Sequence, residues 1–234
     1  PYNNIGSCYI RLGEYEKALS MVNKSIELNS EFTEGYHNLG LIYERMNSIE
    51  LAEKNYKYAL SINPDFAFSN LNLSLLELLK GNYSSGWDSY RHRFDAQKVA
   101  TKNNYSYPVW DGGDISGKNL LIISEQGVGD VIMFSSIFND VLDSGANIIV
   151  DCDQRLIPVF KRSYSNVNFI NESDYRIDYQ VYIGDLAKIF RQYESDFPSA
   201  EKFIAVDQEK VKYYKNYLSK FNSKLKIGIS WKSG

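Results

Sequence analysis

Two rhythms of apolar and polar positions divide this chain. Up to about residue 98 the apolar positions recur at helical spacing, and the pattern repeats after 34 residues. Tyr2 falls on Tyr36, Ile5 on Leu39, Gly6 on Gly40, Tyr9 on Tyr43 and Ala18 on Ala52. A period of that length, with small residues at fixed places, predicts pairs of antiparallel helices stacked into a solenoid. Gly6, Gly40, Ala18, Ala52 and Ala59 let helices approach closely, while Tyr9, Tyr15, Tyr43 and Tyr56 fill the space between them. A third, degraded unit is in phase through Leu73, Gly81 and Tyr83, with Ser74, Glu77 and Gly86 at places where other residues are expected. Residues 70–98 are read as the unit that joins the solenoid to the next domain.

Beyond residue 98 short apolar runs alternate with amphipathic segments. Runs at 120–124, 147–152, 167–170, 180–183, 203–206 and 225–230 predict strands. Segments near 130–143, 154–163, 185–193 and 208–221 predict helices, the last with Val211, Tyr214, Leu218 and Phe221 on one stripe. Alternation of this kind predicts a parallel, doubly wound sheet with right-handed crossovers. The expected layout is a helical array over 1–98, a linker over 99–118 and an α/β domain over 119–234.

Composition narrows the function only slightly. The chain has 234 residues and a net charge of −3, so its overall balance does not point to nucleic acid or an anionic membrane. Cys8 and Cys152 stand on opposite sides of the expected boundary, which argues against a disulfide framework and for a reducing, cytoplasmic setting. No apolar run approaches the ~20 residues of a membrane span. The start at Pro1 inside a helical pattern, and the end at Gly234 just after an apolar run, read as the ends of a fragment. His37 and His92, the two histidines, lie on different helical units, which favours surface or packing roles over a metal site.

The most informative stretch is Ser124-Glu125-Gln126-Gly127-Val128-Gly129-Asp130. It comes after the apolar run Leu120-Leu121-Ile122-Ile123 and opens a helical pattern through Val131, Phe134, Ile137 and Phe138. A polar, glycine-containing turn there lies at the carboxyl edge of a parallel sheet, where ligands bind. The dinucleotide fingerprint is incomplete, because Ile132 takes the third glycine's place and Asp130 sets a negative charge beside the expected pyrophosphate. No Walker loop, no nucleophile elbow and no Cys/His metal spacing is present. What remains is a carboxylate in the first turn of a helix, where the dipole favours its negative charge by about 0.3–1 kcal/mol. Asp130 can cap the helix, or it can bind a sugar hydroxyl and take its proton. Glu125 and Gln126 can hydrogen-bond a polyol or satisfy loop N–H groups.

The repeat pattern resembles the tetratricopeptide repeat, best in the second unit through Tyr36, Leu39, Gly40, Tyr43, Ala52, Ala59 and Pro64. The resemblance implies protein or peptide binding, or a docking platform. Trp110-Asp111-Gly112-Gly113-Asp114-Ile115-Ser116-Gly117-Lys118, together with Glu125-Gln126-Gly127-Val128-Gly129-Asp130, resembles the start of a bacterial glycosyltransferase domain similar to the heptosyltransferases of glycosyltransferase family nine. Gly86-Trp87 with Tyr90 and Arg93, Ser144-Gly145-Ala146, and Lys226-Ile227-Gly228-Ile229-Ser230-Trp231 resemble further pieces of that group. The resemblance implies the Rossmann-like N-terminal half of a GT-B-type enzyme. It places Asp130 as the base for an acceptor hydroxyl, with Glu125, Gln126, Gly127, Val128 and Gly129 around the substrate. It also implies a nucleotide-sugar donor, a glycan or protein acceptor, and neither metal nor cofactor. The donor half would come after Gly234, so these residues alone should not turn over. The alternative is a non-catalytic repeat adaptor with a degenerate Rossmann domain.

Overall fold

A computed structural model describes residues 1–97, 105–199 and 202–221. Three helix pairs form the N-terminal array: α1 (Tyr2–Leu12) with α2 (Tyr15–Leu28), α3 (Thr33–Arg45) with α4 (Ile49–Ile62), and α5 (Ala67–Leu79) with α6 (Tyr83–Tyr90). Each pair closes on a glycine. A Cβ on Gly6 would stand 2.6 Å from Val22 Cγ2, and one on Gly40 would stand 2.4 Å from the Tyr56 ring. Real Cβ atoms do not tolerate such distances, so the helices meet at these points because no side chain intervenes. The degraded third unit uses the same device at a different place. A Cβ on Gly86 would stand 2.6 Å from Leu78 Cδ2, and buried Ser74 donates its hydroxyl to the Gly86 carbonyl at 2.9 Å. Ser74 and Gly86 are therefore a local solution that binds α5 to α6.

A short helix, α7 (Arg93–Gln97), leads away from α6. The α/β unit contains β1 (Asn119–Ile123), α8 (Val128–Phe134), α9 (Phe138–Asp143), β2 (Asn147–Asp151), α10 (Ile157–Ser163), β3 (Val167–Phe169), β4 (Tyr179–Tyr182) and α11 (Leu186–Phe190). The strands form one parallel sheet in the order β3-β2-β1-β4. Leu120 pairs with Ile148 on one side and with Tyr179 on the other. Because β1 is central and covered on both faces, it reads as an unbroken apolar run.

Leu120, Ile122, Ile148, Val150 and Val181 turn to one face, where Val131, Phe134, Phe138, Val141, Phe160 and Leu186 from α8–α11 cover them. Leu121, Ile123 and Ile149 turn to the other face, covered by Ile177 with Tyr105, Ile170, Tyr175 and Tyr182. Among the described residues, therefore, helices α8–α11 all lie on one face and loops cover the other. This corrects the doubly wound expectation. The β3-to-β4 connection carries only a 3-10 turn, Ile170–Glu172.

Three further features depart from the expected layout. The described part of the expected linker, 105–118, is built into the sheet unit: Trp110 donates its N–H to the Gln180 carbonyl at 2.8 Å and Gln180 donates to the Pro108 carbonyl at 2.9 Å. Trp110 and Ile115 are core residues. The run at 203–206 is not a strand; the backbone of Ala205 is held by Arg162 Nε at 2.9 Å and Ser163 Oγ at 2.9 Å instead. The predicted strand at 225–230, with the motif through Trp231, lies outside the described residues. After Ala205 comes α12 (Gln208–Ser219), capped by Asp207 Oδ1, which accepts from the Lys210 N–H at 3.0 Å.

The array and the sheet unit share an interface. Trp87 and Tyr90 of α6 pack against the helical-face core of the sheet. Trp87 Nε1 donates to the Arg191 carbonyl at 2.8 Å. Lys188 of α11 pairs with Asp88 at 2.8 Å.

Candidate functional site

The turn after β1 begins with a staple. Ser124 donates both its N–H (2.9 Å) and its hydroxyl (2.8 Å) to the Asp151 carbonyl at the end of β2. This holds the carboxyl ends of β1 and β2 together and opens a cleft of about 290 Å³ between the loops after these two strands. One wall is Ile123 to Val128, and the other is Asp151, Cys152, Asp153 and Arg155.

Four of the six residues singled out from the sequence line this cleft: Glu125, Gln126, Gly127 and Val128. Gly129 and Asp130 stand outside its lining. Asp130 is exposed, in the first turn of α8, and makes no hydrogen bond or ion pair among the described residues. No side chain caps α8, so Asp130 does not perform the capping role that the sequence left open. Neither Gly127 nor Gly129 has a positive φ. A Cβ on Gly129 would meet nothing within 4 Å. The fold therefore does not require a glycine at 129.

Glu125 turns inward. Its side chain is fully buried and pairs with Arg93 of α7, with Oε1 accepting from Nη2 at 2.8 Å and from Nε at 3.0 Å. The opposite side of the same guanidinium holds Asp185, in the loop after β4, at 2.8 Å. Arg93 thus sits where the loops after β1 and β4 diverge, and clasps one acid from each. Burial pushes the Glu125 carboxyl above the usual carboxylate range, and the attraction of Arg93 offsets this only in part. Glu125 Oε2 is buried without a hydrogen-bond partner among the described residues. Gln126 also reaches the array: its amide meets the Tyr90 hydroxyl, with Nε2 at 2.8 Å. The side chains of Glu125 and Gln126 are thus committed to the helical array.

The second wall was not read from the sequence as part of a site. Asp153 Oδ1 accepts from the Arg155 N–H at 2.9 Å, and its carboxylate pairs with the Arg155 guanidinium at 2.9 Å. Burial, then the charges of Asp151 and Asp153, push the Cys152 thiol up to about 12. Cys152 is a neutral thiol at physiological pH and is not a nucleophile there. The signal for this wall was present: a polar stretch directly after an apolar run, on the same edge as the first turn. Among the described residues no group of three or more His, Cys, Asp or Glu could hold a metal ion.

A larger cleft, about 470 Å³, lies between α6 and α11 and is lined by Trp87, Asp88, Arg91, Trp110 and Lys188 among others. None of the six predicted residues borders it.

With this geometry in place, comparison with known proteins places the helical array. The tetratricopeptide repeat family matches residues 1–65, so the first two helix pairs are repeats of that type. Protein FlbA of Caulobacter vibrioides is 29% identical over 178 residues, covering 67% of this chain and 30% of FlbA. The chain thus spans about a third of that relative's length. Among solved structures, the first tetratricopeptide domain of Spaghetti (RPAP3), bound to an HSP90 peptide, is 15% identical with a TM-score of 0.38, covering 44% of this chain and 79% of that one. An O-GlcNAc transferase mutant from Thermobaculum terrenum is 14% identical with a TM-score of 0.38, covering 65% of this chain and 38% of that one.

Proposed function

We propose that this chain joins a protein-binding tetratricopeptide array to the acceptor-side half of a glycosyltransferase. Three things support the reading. The order β3-β2-β1-β4 is that of the first four strands of a Rossmann sheet. A polar cleft lies at the carboxyl ends of β1 and β2. The Glu125–Asp130 block resembles the corresponding turn of the heptosyltransferases. The observation that carries the catalytic assignment is the exposed, uncommitted carboxylate of Asp130 beside that turn.

In the proposed step Asp130 accepts the proton of an acceptor hydroxyl. The hydroxyl oxygen attacks the anomeric carbon of a nucleotide-sugar, and the bond from that carbon to the phosphate oxygen breaks, the oxygen keeping the electron pair. Gly127, Val128 and Gly129 leave room for the acceptor beside the cleft, while Glu125 holds the loop in place through Arg93. No metal or cofactor enters the scheme. The array binds a protein or peptide, which brings the acceptor or a regulator to the cleft.

The test is a transfer assay on the full-length protein with Asp130→Asn. Loss of a positioned base lowers turnover by about two to four orders of magnitude. Unchanged turnover overturns the assignment. The rival reading, a non-catalytic adaptor, draws on one observation: Glu125 and Gln126, expected to touch substrate, spend their side chains on the array. Under that reading Asp130→Asn leaves every measurable property intact, and peptide capture by the repeats is the sole function.

A further inference from the structure

Helix α12 stands apart from both cores. None of its residues is buried. Tyr213, Tyr214, Tyr217, Leu218 and Phe221 are 64%, 56%, 47%, 40% and 50% exposed. They form one arc. Tyr213, Tyr217 and Phe221 recur every fourth residue, and Tyr214 and Leu218 lie one step round the helix. The rings touch along the arc: Tyr213 stacks on Tyr217 at 6.5 Å and 10°, and Tyr217 meets Phe221 edge-on at 5.4 Å. Tyr56 and Tyr164 are packed into cores, whereas the three tyrosines of this arc are exposed.

Lys212 and Lys215 stand opposite the arc and Lys220 lies just past the helix end, while Lys210 falls within the arc, between Tyr217 and Phe221. From Gln208 to Ser219 three lysines stand against Glu209, a net of +2, and Asp207 caps the first turn. The whole chain carries −3, so everything outside α12 sums to −5. The overall balance hides this segregation. Lys212, Lys215 and Lys220 form no ion pair among the described residues. Tyrosine has an apolar ring and a polar tip, and suits a boundary that is greasy on one side and wet on the other. Lysine stems can lie along apolar surface while the ammonium reaches a phosphate.

We infer that α12 is an interfacial anchor that lays its tyrosine arc into an anionic lipid surface and sets its lysines against the headgroups. Charge complementarity selects the occupant: a +2 helix on an acidic chain calls for a polyanionic surface, and a ring-lined arc calls for one with a hydrocarbon boundary. A soluble polyanion meets the first requirement and not the second.

The experiment is co-sedimentation of the whole chain with phosphatidylcholine vesicles, with and without roughly one third phosphatidylglycerol. The chain is expected to pellet with the anionic vesicles only, and less as salt rises. Lys212→Glu and Lys215→Glu should each lower the partition coefficient by about fivefold or more. The combined variant Tyr213→Ser, Tyr217→Ser, Phe221→Ser should lower it by at least about tenfold. Both should leave Tm unchanged, since α12 contributes nothing to a core. Three outcomes overturn the inference. One is no preference for anionic vesicles. Another is equal binding by the triple-ring variant. The third is absence of vesicle binding together with a dimer, or a crosslink to residues beyond Phe221, that the triple-ring variant abolishes; this would give the arc to a second copy or to the chain's own continuation.

Discussion

Arg93 Nη2 lies 2.8 Å from Glu125 Oε1, and both side chains are fully removed from solvent. The arginine belongs to the helical array and the glutamate to the turn after β1, so one buried charge pair joins the two parts of the chain. With Asp185 on the other side of the guanidinium, the loops after β1 and β4 are both set by a residue from outside the sheet.

Removing the cation alone should be costly. Arg93→Met leaves Glu125 buried without a counter-charge, and breaking such a pair typically costs about 3–5 kcal/mol. The double variant Arg93→Met, Glu125→Leu should recover much of that loss, because no uncompensated charge remains. Urea unfolding of the two variants checks this. Equal losses in both would mean that packing, not charge, holds the junction.

Space at Gly184 is tied to the same pair. A Cβ there would stand 2.9 Å from Glu125 Oε1 and 3.2 Å from Arg93 Nη2. Gly184→Ala should destabilise the protein by about 1–3 kcal/mol, the usual range for overpacking. Gly129→Ala, inside α8 and facing open space, should leave stability unharmed or raise it by up to about 1 kcal/mol. Gly129→Val tests ligand access directly: loss of binding with an unchanged Tm supports a place for this glycine in the site.

His37 makes stability depend on pH. Its Nδ1 lies 3.1 Å from Ser69 Oγ, and the ring is packed among Tyr56, Phe66 and Phe68. Burial lowers it to about 4 from an ordinary 6.5. The unfolded chain therefore binds a proton first, so the contribution of His37 is complete above about 6.5 and is lost as pH falls towards 4. The full swing is on the order of 3 kcal/mol. Glu125 acts with the opposite sign: its raised value favours the folded state at low pH, and that benefit fades as pH rises through the folded value. Chemical denaturation of His37→Gln between pH 4 and 6.5 should show the acid-side decline largely removed. An unaltered slope would locate the titration elsewhere.

Tyr56 joins three helices of the array through its hydroxyl, which donates to Glu44 Oε2 at 2.8 Å and accepts from Asn72 Nδ2 at 3.1 Å. Tyr56→Phe should cost about 1–2 kcal/mol, for one charged and one neutral hydrogen bond. Thermal unfolding read through the helical signal checks it. A neutral outcome would mean that water replaces both partners.

The local patterns were legible because they depend on local spacing. The 34-residue period marked Gly6 and Gly40 as contact points, and the apolar runs located all four strands to within a residue or two. What escaped depends on distant partners. Nothing in the spacing of Arg93 indicates that it pairs with Glu125, 32 residues away. Asp151 to Arg155 became part of the cleft only when β2 was placed beside β1. The 105–118 segment looked like a linker because its pairing with β4 involves a single isolated bridge at Val109, too short for a strand pattern. The run at 203–206 has strand composition, yet side chains of α10 hold its backbone, so it needs no neighbour in the sheet. The sequence left Asp130 open as a helix cap, a hydroxyl ligand or a base, and no side chain caps α8.

Helix α6 serves two masters: Ser74 and Leu78 of α5 grip it through Gly86, and Trp87 and Tyr90 fasten it to the sheet core. Gene duplication of a repeat is therefore tolerated at one end only. A unit inserted beyond α6 would carry Trp87 and Tyr90 away from their partners, whereas units gained or lost ahead of α1 leave the junction untouched. The length of the array is free to evolve, while its last helix is inherited together with the sheet.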